Sequence, residues 1–145
     1  MKSILIALFL LAAGSTVAFA QCDKKVSLSA SKTEHYDANG GSKGTHDEKT
    51  IVEFDKTDMT VSISDDGGDH KMSGKIKSST CDWKVPFKDG KTTMLVTLTR
   101  EGDGESRDFT VMIEGKDGKV TLSAESKEEP DDKVKLPIDK FEEKK

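Results

Sequence analysis

Between Lys24 and Phe141, apolar side chains fall on alternate positions almost without interruption, and clusters of Gly, Asp, Asn and Ser separate the alternating runs. A period of two sends successive side chains to opposite faces of a strand, so each run reads as a strand with one buried and one wet face. The first run ends at Tyr36 and has Val26, Leu28 and Ala30 on one face. A glycine-rich gap, DANGGSKGTHDE, follows it. TIVEF then turns Val52 and Phe54 inward, and MTVSIS turns Met59, Val61 and Ile63 inward. Further runs bring Met72, Gly74 and Ile76; Cys81, Trp83, Val85 and Phe87; Met94, Val96 and Leu98; Phe109, Val111 and Ile113; Val120, Leu122 and Ala124; and Val134, Leu136, Ile138 and Phe141.

This spacing predicts an all-β chain: an antiparallel meander of about eight strands, or nine. In sequence order such strands close most simply into an up-and-down barrel, which removes the edges. A two-layer β-sandwich is the alternative. Two KDGK tetrapeptides, at Lys88–Lys91 and Lys116–Lys119, read as one tight hairpin used twice, because Asp-Gly supplies positive φ. Residues 142–145, EEKK, read as a charged, solvated tail after a single β domain spanning 21–141.

Residues 1–20 have the form of a secretory signal peptide. Lys2 is followed by an apolar run from Ile4 to Ala13 and by Ala18-Phe19-Ala20, an A-x-A cleavage site. The apolar run is too short to span about 30 Å of hydrocarbon, so no integral membrane span is expected. Export to the periplasm or the medium follows. Lipid attachment at Cys22 is disfavoured by Gln21, which stands where a small residue is wanted. In an oxidising compartment the two cysteines, Cys22 and Cys81, are expected to form a disulfide. It would close a loop of about 60 residues, worth about 4 kcal/mol in the chain-entropy account.

The 23 basic residues face 27 acidic ones, a net charge of −4, which argues against nucleic-acid binding. Catalytic and metal chemistry find little support. The acidic turns DDGGDH and EGDGES match no EF-hand spacing. His35, His46 and His70 are too scattered to form a zinc motif. Ser29–Lys32 matches S-x-x-K, but on a strand rather than a helix. No enzyme, cofactor or metal is expected. Trp83 reads as a structural anchor that shares one face with Cys81, Val85 and Phe87. A ligand-stacking role is the other reading for it.

The only arginines, Arg100 and Arg107, continue the inward parity of neighbouring runs on either side of one turn. Together with Trp83 and Phe109 they are the candidate ligand-binding residues, with the guanidinium groups suited to an anionic head. Rim ion pairs to Glu101, Asp103 or Glu105 are their other expected use. Lys32, Glu34 and Tyr36 either continue inward from the first run or lie beyond a bulge.

The pattern resembles the small exported lipocalin-like β-barrels of bacteria. The likeness rests on the meander, the glycine-rich gap, the central TIVEFDKTDMTVSIS hairpin and the closing IEGKDGKVTLSAE hairpin. The first strand carries neither the glycine nor the tryptophan of a G-x-W motif. The resemblance implies a binding module for a hydrophobic ligand; with the two arginines, the expectation is a monomer that binds a small apolar or amphiphilic anionic ligand. A structural or interaction protein with a filled core is the alternative.

Overall fold

A computed structural model describes residues 24–144. Residues 1–20 and Cys22 lie outside the described residues. Nine strands follow in order: β1 Lys25–Tyr36, β2 Ser42–Phe54, β3 Asp58–Asp65, β4 Gly68–Val85, β5 Asp89–Arg100, β6 Ser106–Lys116, β7 Lys119–Ser126, β8 Lys133–Pro137 and β9 Lys140–Lys144. Every neighbouring pair is antiparallel, and β1 pairs with β2 on one side and with β8 and β9 on the other. The sheet therefore closes on itself. β8 and β9 share one position in the wall, so the meander is an eight-stranded barrel.

Alternation supplies the core. Val26, Leu28, Ala30, Val52, Met59, Met94, Val96, Val111, Ile113 and Leu122 are buried inside the barrel. The strands run between two distinct ends. At one end lie Trp83, Phe87, Gly90 and Gly115; at the other lie Arg100 and Arg107.

The runs around Ile76 and Cys81 form one 18-residue strand, not two. Ile76 lies opposite Val96 and Ser79 opposite Met94, with a bulge between Ile76 and Ser78. One extra residue switches the inward positions from even to odd, so both runs face the core without a turn. A second irregularity between Trp83 and Val85 turns Val85 outward to 45 % exposure, against the inward position its parity predicts.

The two KDGK segments also differ. Asp117 and Gly118, both at positive φ, form a two-residue hairpin between the paired Lys116 and Lys119. Asp89 and Gly90 instead lie inside β5, and the preceding turn is made by Pro86, Phe87 and Lys88. Phe87 takes a φ of 53° there, which returns its ring to the core.

Trp83, Gly90 and Gly115 form one row across three strands. A Cβ on Gly115 would come 2.8 Å from the indole, and one on Gly90 would strike the Asp82 carbonyl. The indole therefore lies over bare backbone. It stacks on Phe87 with ring centroids 4.8 Å apart, and Phe87 stacks on Phe141 at 4.2 Å. Three rings plug this end of the barrel.

The seam is local to β1. A bulge between Ala30 and Lys32 faces the break between β8 and β9. Asp139 fills the break: its carboxylate accepts from the Ser31 N–H at 2.8 Å, and its own N–H donates to the Ser29 carbonyl at 2.8 Å. The expected tail is ordered differently. Glu142 to Lys144 are exposed but belong to β9 and pair with β1. The expected gap is shorter too, since Ser42–Glu48 lengthen β2.

Candidate functional site

Opposite the aromatic plug, the barrel encloses a cavity of about 270 Å³. Its apolar lining comes chiefly from Val61 and Met72, from Leu98 and Phe109, and from Val111 and Leu122. These are inward positions of β3 to β7, so the strand period that builds the core also builds the cavity wall.

The β1–β2 side of the lining is more polar. Past the bulge in β1 the inward positions become odd-numbered. Thr33 and His35 line the cavity, while Lys32 is exposed and Glu34 and Tyr36 are half-buried. The three residues expected either at an opening or beyond a bulge thus lie beyond one. On β2, Glu48, Thr50 and Val52 line the cavity. The hydroxyls of Thr33 and Thr50 are buried and have no hydrogen-bond partner among the described residues.

Arg100 and Arg107 are both in the cavity lining. Arg107 lies opposite Leu98 across β5–β6, and Arg100 lies opposite Met72 across β4–β5. Each guanidinium is already engaged. Arg107 donates to the Glu105 carboxylate through Nη2 at 2.8 Å and Nε at 3.0 Å, and its Nη1 lies 2.8 Å from Glu129. Bonding to Glu105 holds the Arg107 pKa above its ordinary value. Arg100 reaches Asp103 at 3.3 Å. Asp103 also accepts the Glu105 N–H at 2.9 Å, which pushes its carboxyl below the usual range.

Glu129 and Asp132 come from the segment joining β7 to β8, residues 127–132. It is strapped over the arginine end by Arg107–Glu129 and by His35 Nδ1–Asp132 at 3.2 Å. Lys43 adds a bond to the Asp131 carbonyl at 3.1 Å. His46 meets His35 edge-on, with ring centroids 4.7 Å apart.

Of the four candidate ligand residues, Arg100, Arg107 and Phe109 line the cavity. Trp83 lies at the plugged end, where its N–H donates to the Thr92 hydroxyl at 2.7 Å. The acids of the turns have local uses: Asp65 accepts the Gly67 N–H at 2.8 Å, as Asp103 accepts that of Glu105. Among the described residues no cluster of His, Cys, Asp and Glu could hold a metal ion. No described helix is long and apolar enough to cross a membrane.

Sequence reading missed Thr33, Thr50, Glu48, Glu129 and Asp132. Thr50 was within reach, since it shares the parity of Val52 and Phe54. Thr33 was not, because only the bulge turns it inward. No family model matches the chain, and neither does any curated protein or solved structure.

Proposed function

We propose that this protein is an exported binding module, a lipocalin-like barrel that holds one small, mainly apolar ligand. The observation that carries this reading is the cavity of about 270 Å³, walled by apolar side chains inside a closed sheet and plugged by aromatic rings at one end. Eight-stranded barrels stand at the size where side chains fill the interior or leave room for one small ligand. Export rests on residues 1–20, with their basic start, apolar run and A-x-A site. A closed barrel offers no sheet edge for pairing, which supports a monomer. The reading is binding without catalysis: Asp65 is taken up by the Gly67 N–H, and Asp103 by the Glu105 N–H and Arg100.

An anionic head at the arginines is a narrower form of the proposal. It requires the ligand to exchange with Glu129 or Glu105 at Arg107, because those carboxylates already occupy the guanidinium.

Fluorescence titration with N-phenylnaphthylamine, a neutral apolar probe, tests the main reading. Saturable binding is expected for the mature protein. Ala124→Phe should abolish it without unfolding the barrel, because Ala124 lines the cavity and a larger ring would fill it. Absence of saturable binding in the unsubstituted protein would favour a filled-core protein whose surface does the work.

A further inference from the structure

Two buried hydroxyls without partners are costly in a folded barrel, because a lost hydrogen bond is not made good by water. Thr33 and Thr50 are 4 % and 3 % exposed, and both line the cavity. They stand on paired neighbouring strands, β1 and β2, on either side of the bulge at Ala30–Lys32. Valine at either position would have the same shape and no such cost. Threonine exchanges its hydroxyl and methyl by rotation about χ1, so turning a hydroxyl to the lumen needs no backbone movement. Across the cavity from these strands the wall is apolar, with Leu98, Phe109 and Val111.

The charged groups of the lining are differently placed. Arg100 is paired with Asp103, Arg107 with Glu105 and Glu129, and Asp132 with His35. An anionic ligand would have to break one of these pairs, and it would also face the Glu48 carboxylate in the same lining. A neutral one breaks none of them, and among the lining side chains the hydroxyls of Thr33 and Thr50 are the buried ones without a partner among the described residues.

We propose that the ligand is an uncharged amphiphile, an alcohol or a similar neutral donor–acceptor, whose polar group pairs with Thr33 and Thr50 while its chain lies against Leu98, Phe109 and Val111. This rests on the reading of the cavity as a ligand site, and it selects the neutral class over the anionic one.

The test is displacement of N-phenylnaphthylamine by octanol, octane, octanoate and octylamine. Octanol should displace best, by roughly tenfold over octane, the worth of about one net hydrogen bond. In a Thr33→Val, Thr50→Val double variant that advantage should vanish, while octane binds as before. The same variant should be at least as heat-stable as the parent, since it removes unpartnered hydroxyls. Octanoate or octylamine binding tightest would overturn the neutral class and leave the cavity reading intact. An octanol advantage that survives in the double variant, or a variant that is strongly destabilised, would overturn the role of the two threonines. If the probe itself does not bind saturably, the cavity reading fails and this proposal fails with it.

Discussion

The Trp83 indole N–H donates to the Thr92 hydroxyl at 2.7 Å, and that hydroxyl lies 3.5 Å from Cys81 Sγ. All three residues are inward positions on β4 and β5, where Cys81 pairs with Thr92. The polar edge of the largest side chain is thus satisfied inside the core while its face stacks on Phe87. Trp83→Ala is expected to lower unfolding free energy by about 3–5 kcal/mol, and Thr92→Val by about 1–3 kcal/mol through the orphaned indole. Denaturant midpoints at constant slope measure both. A midpoint unchanged in Trp83→Ala would show that the indole does not support the core.

Gly115→Ala should be destabilising although alanine is the smaller conformational burden. Its Cβ would sit 2.8 Å from the Trp83 ring, in a row where neither Gly90 nor Gly115 leaves room. The cost of overpacking is typically about 1–3 kcal/mol. Pairing Gly115→Ala with Trp83→Phe should recover part of it, and a double-mutant cycle reads the coupling. Purely additive effects would count against the contact.

Acid should destabilise the barrel through its turns. Asp55 is held below the usual carboxylate range by the N–H groups of Thr57 and Asp58, both at 2.8 Å. Asp58 is lowered by the Lys75 ammonium and the Thr57 hydroxyl, and Asp108 by the Thr97 hydroxyl and Lys77. Depressed folded pKa values stabilise the protein at pH above the ordinary carboxylate value of about 3.9 and lose that effect as pH falls through the lower folded values. Melting temperature should be level near neutrality and fall below about pH 4. Asp55→Asn should flatten that fall, and an unchanged acid slope would exclude Asp55 from it.

Much of this architecture was legible because the core strands obey a single period: Val26, Leu28 and Ala30, or Met94, Val96 and Leu98, could face only one way. What escaped depends on bulges. The extra residue after Ile76 has no turn signature, so one long strand reads as two short ones. Ser42–Glu48 extend β2 beyond the core with polar side chains only, and a strand with no buried face leaves no apolar period to detect. The cavity's apolar wall and both arginines were readable by parity. Of its polar side only Glu48 and Thr50 share that parity, because Thr33 is turned inward by a bulge and Glu129 and Asp132 arrive from a loop.

The strap at the arginine end should open independently of the fold. Exposed ion pairs contribute only about 0–1 kcal/mol each. A Glu129→Gln, Asp132→Asn double variant is therefore expected to melt within about 2 kcal/mol of the parent. Hydrogen exchange across residues 127–132 should nonetheless quicken, and the apolar probe should associate faster. Unchanged exchange would mean that Arg107 and His35 do not hold this segment.

The oxidised mature chain should be lighter than its reduced form by the two hydrogens lost in joining Cys22 to Cys81. Cys22 lies outside the described residues. The chain enters β1 at the same barrel end that carries Cys81, and no described cysteine is free. Intact mass with and without reductant decides it, and two thiols that alkylate without reductant would refute the bridge.

Strand β1 has an unusual burden in time. It is made early in the chain, yet its second edge is completed by β8 and β9, about a hundred residues later. Until those two strands arrive, the sheet is an open ribbon with two unpaired edges, and its inward apolar face is only partly covered. Contacts so distant in sequence form slowly, and an unpaired edge invites other chains while it waits. A chain cut before Lys140 therefore loses more than the Phe141 ring of the aromatic plug. It also loses the step that ends exposure of the edge, so its vulnerability lies in aggregation during folding as well as in the stack missing from Phe87.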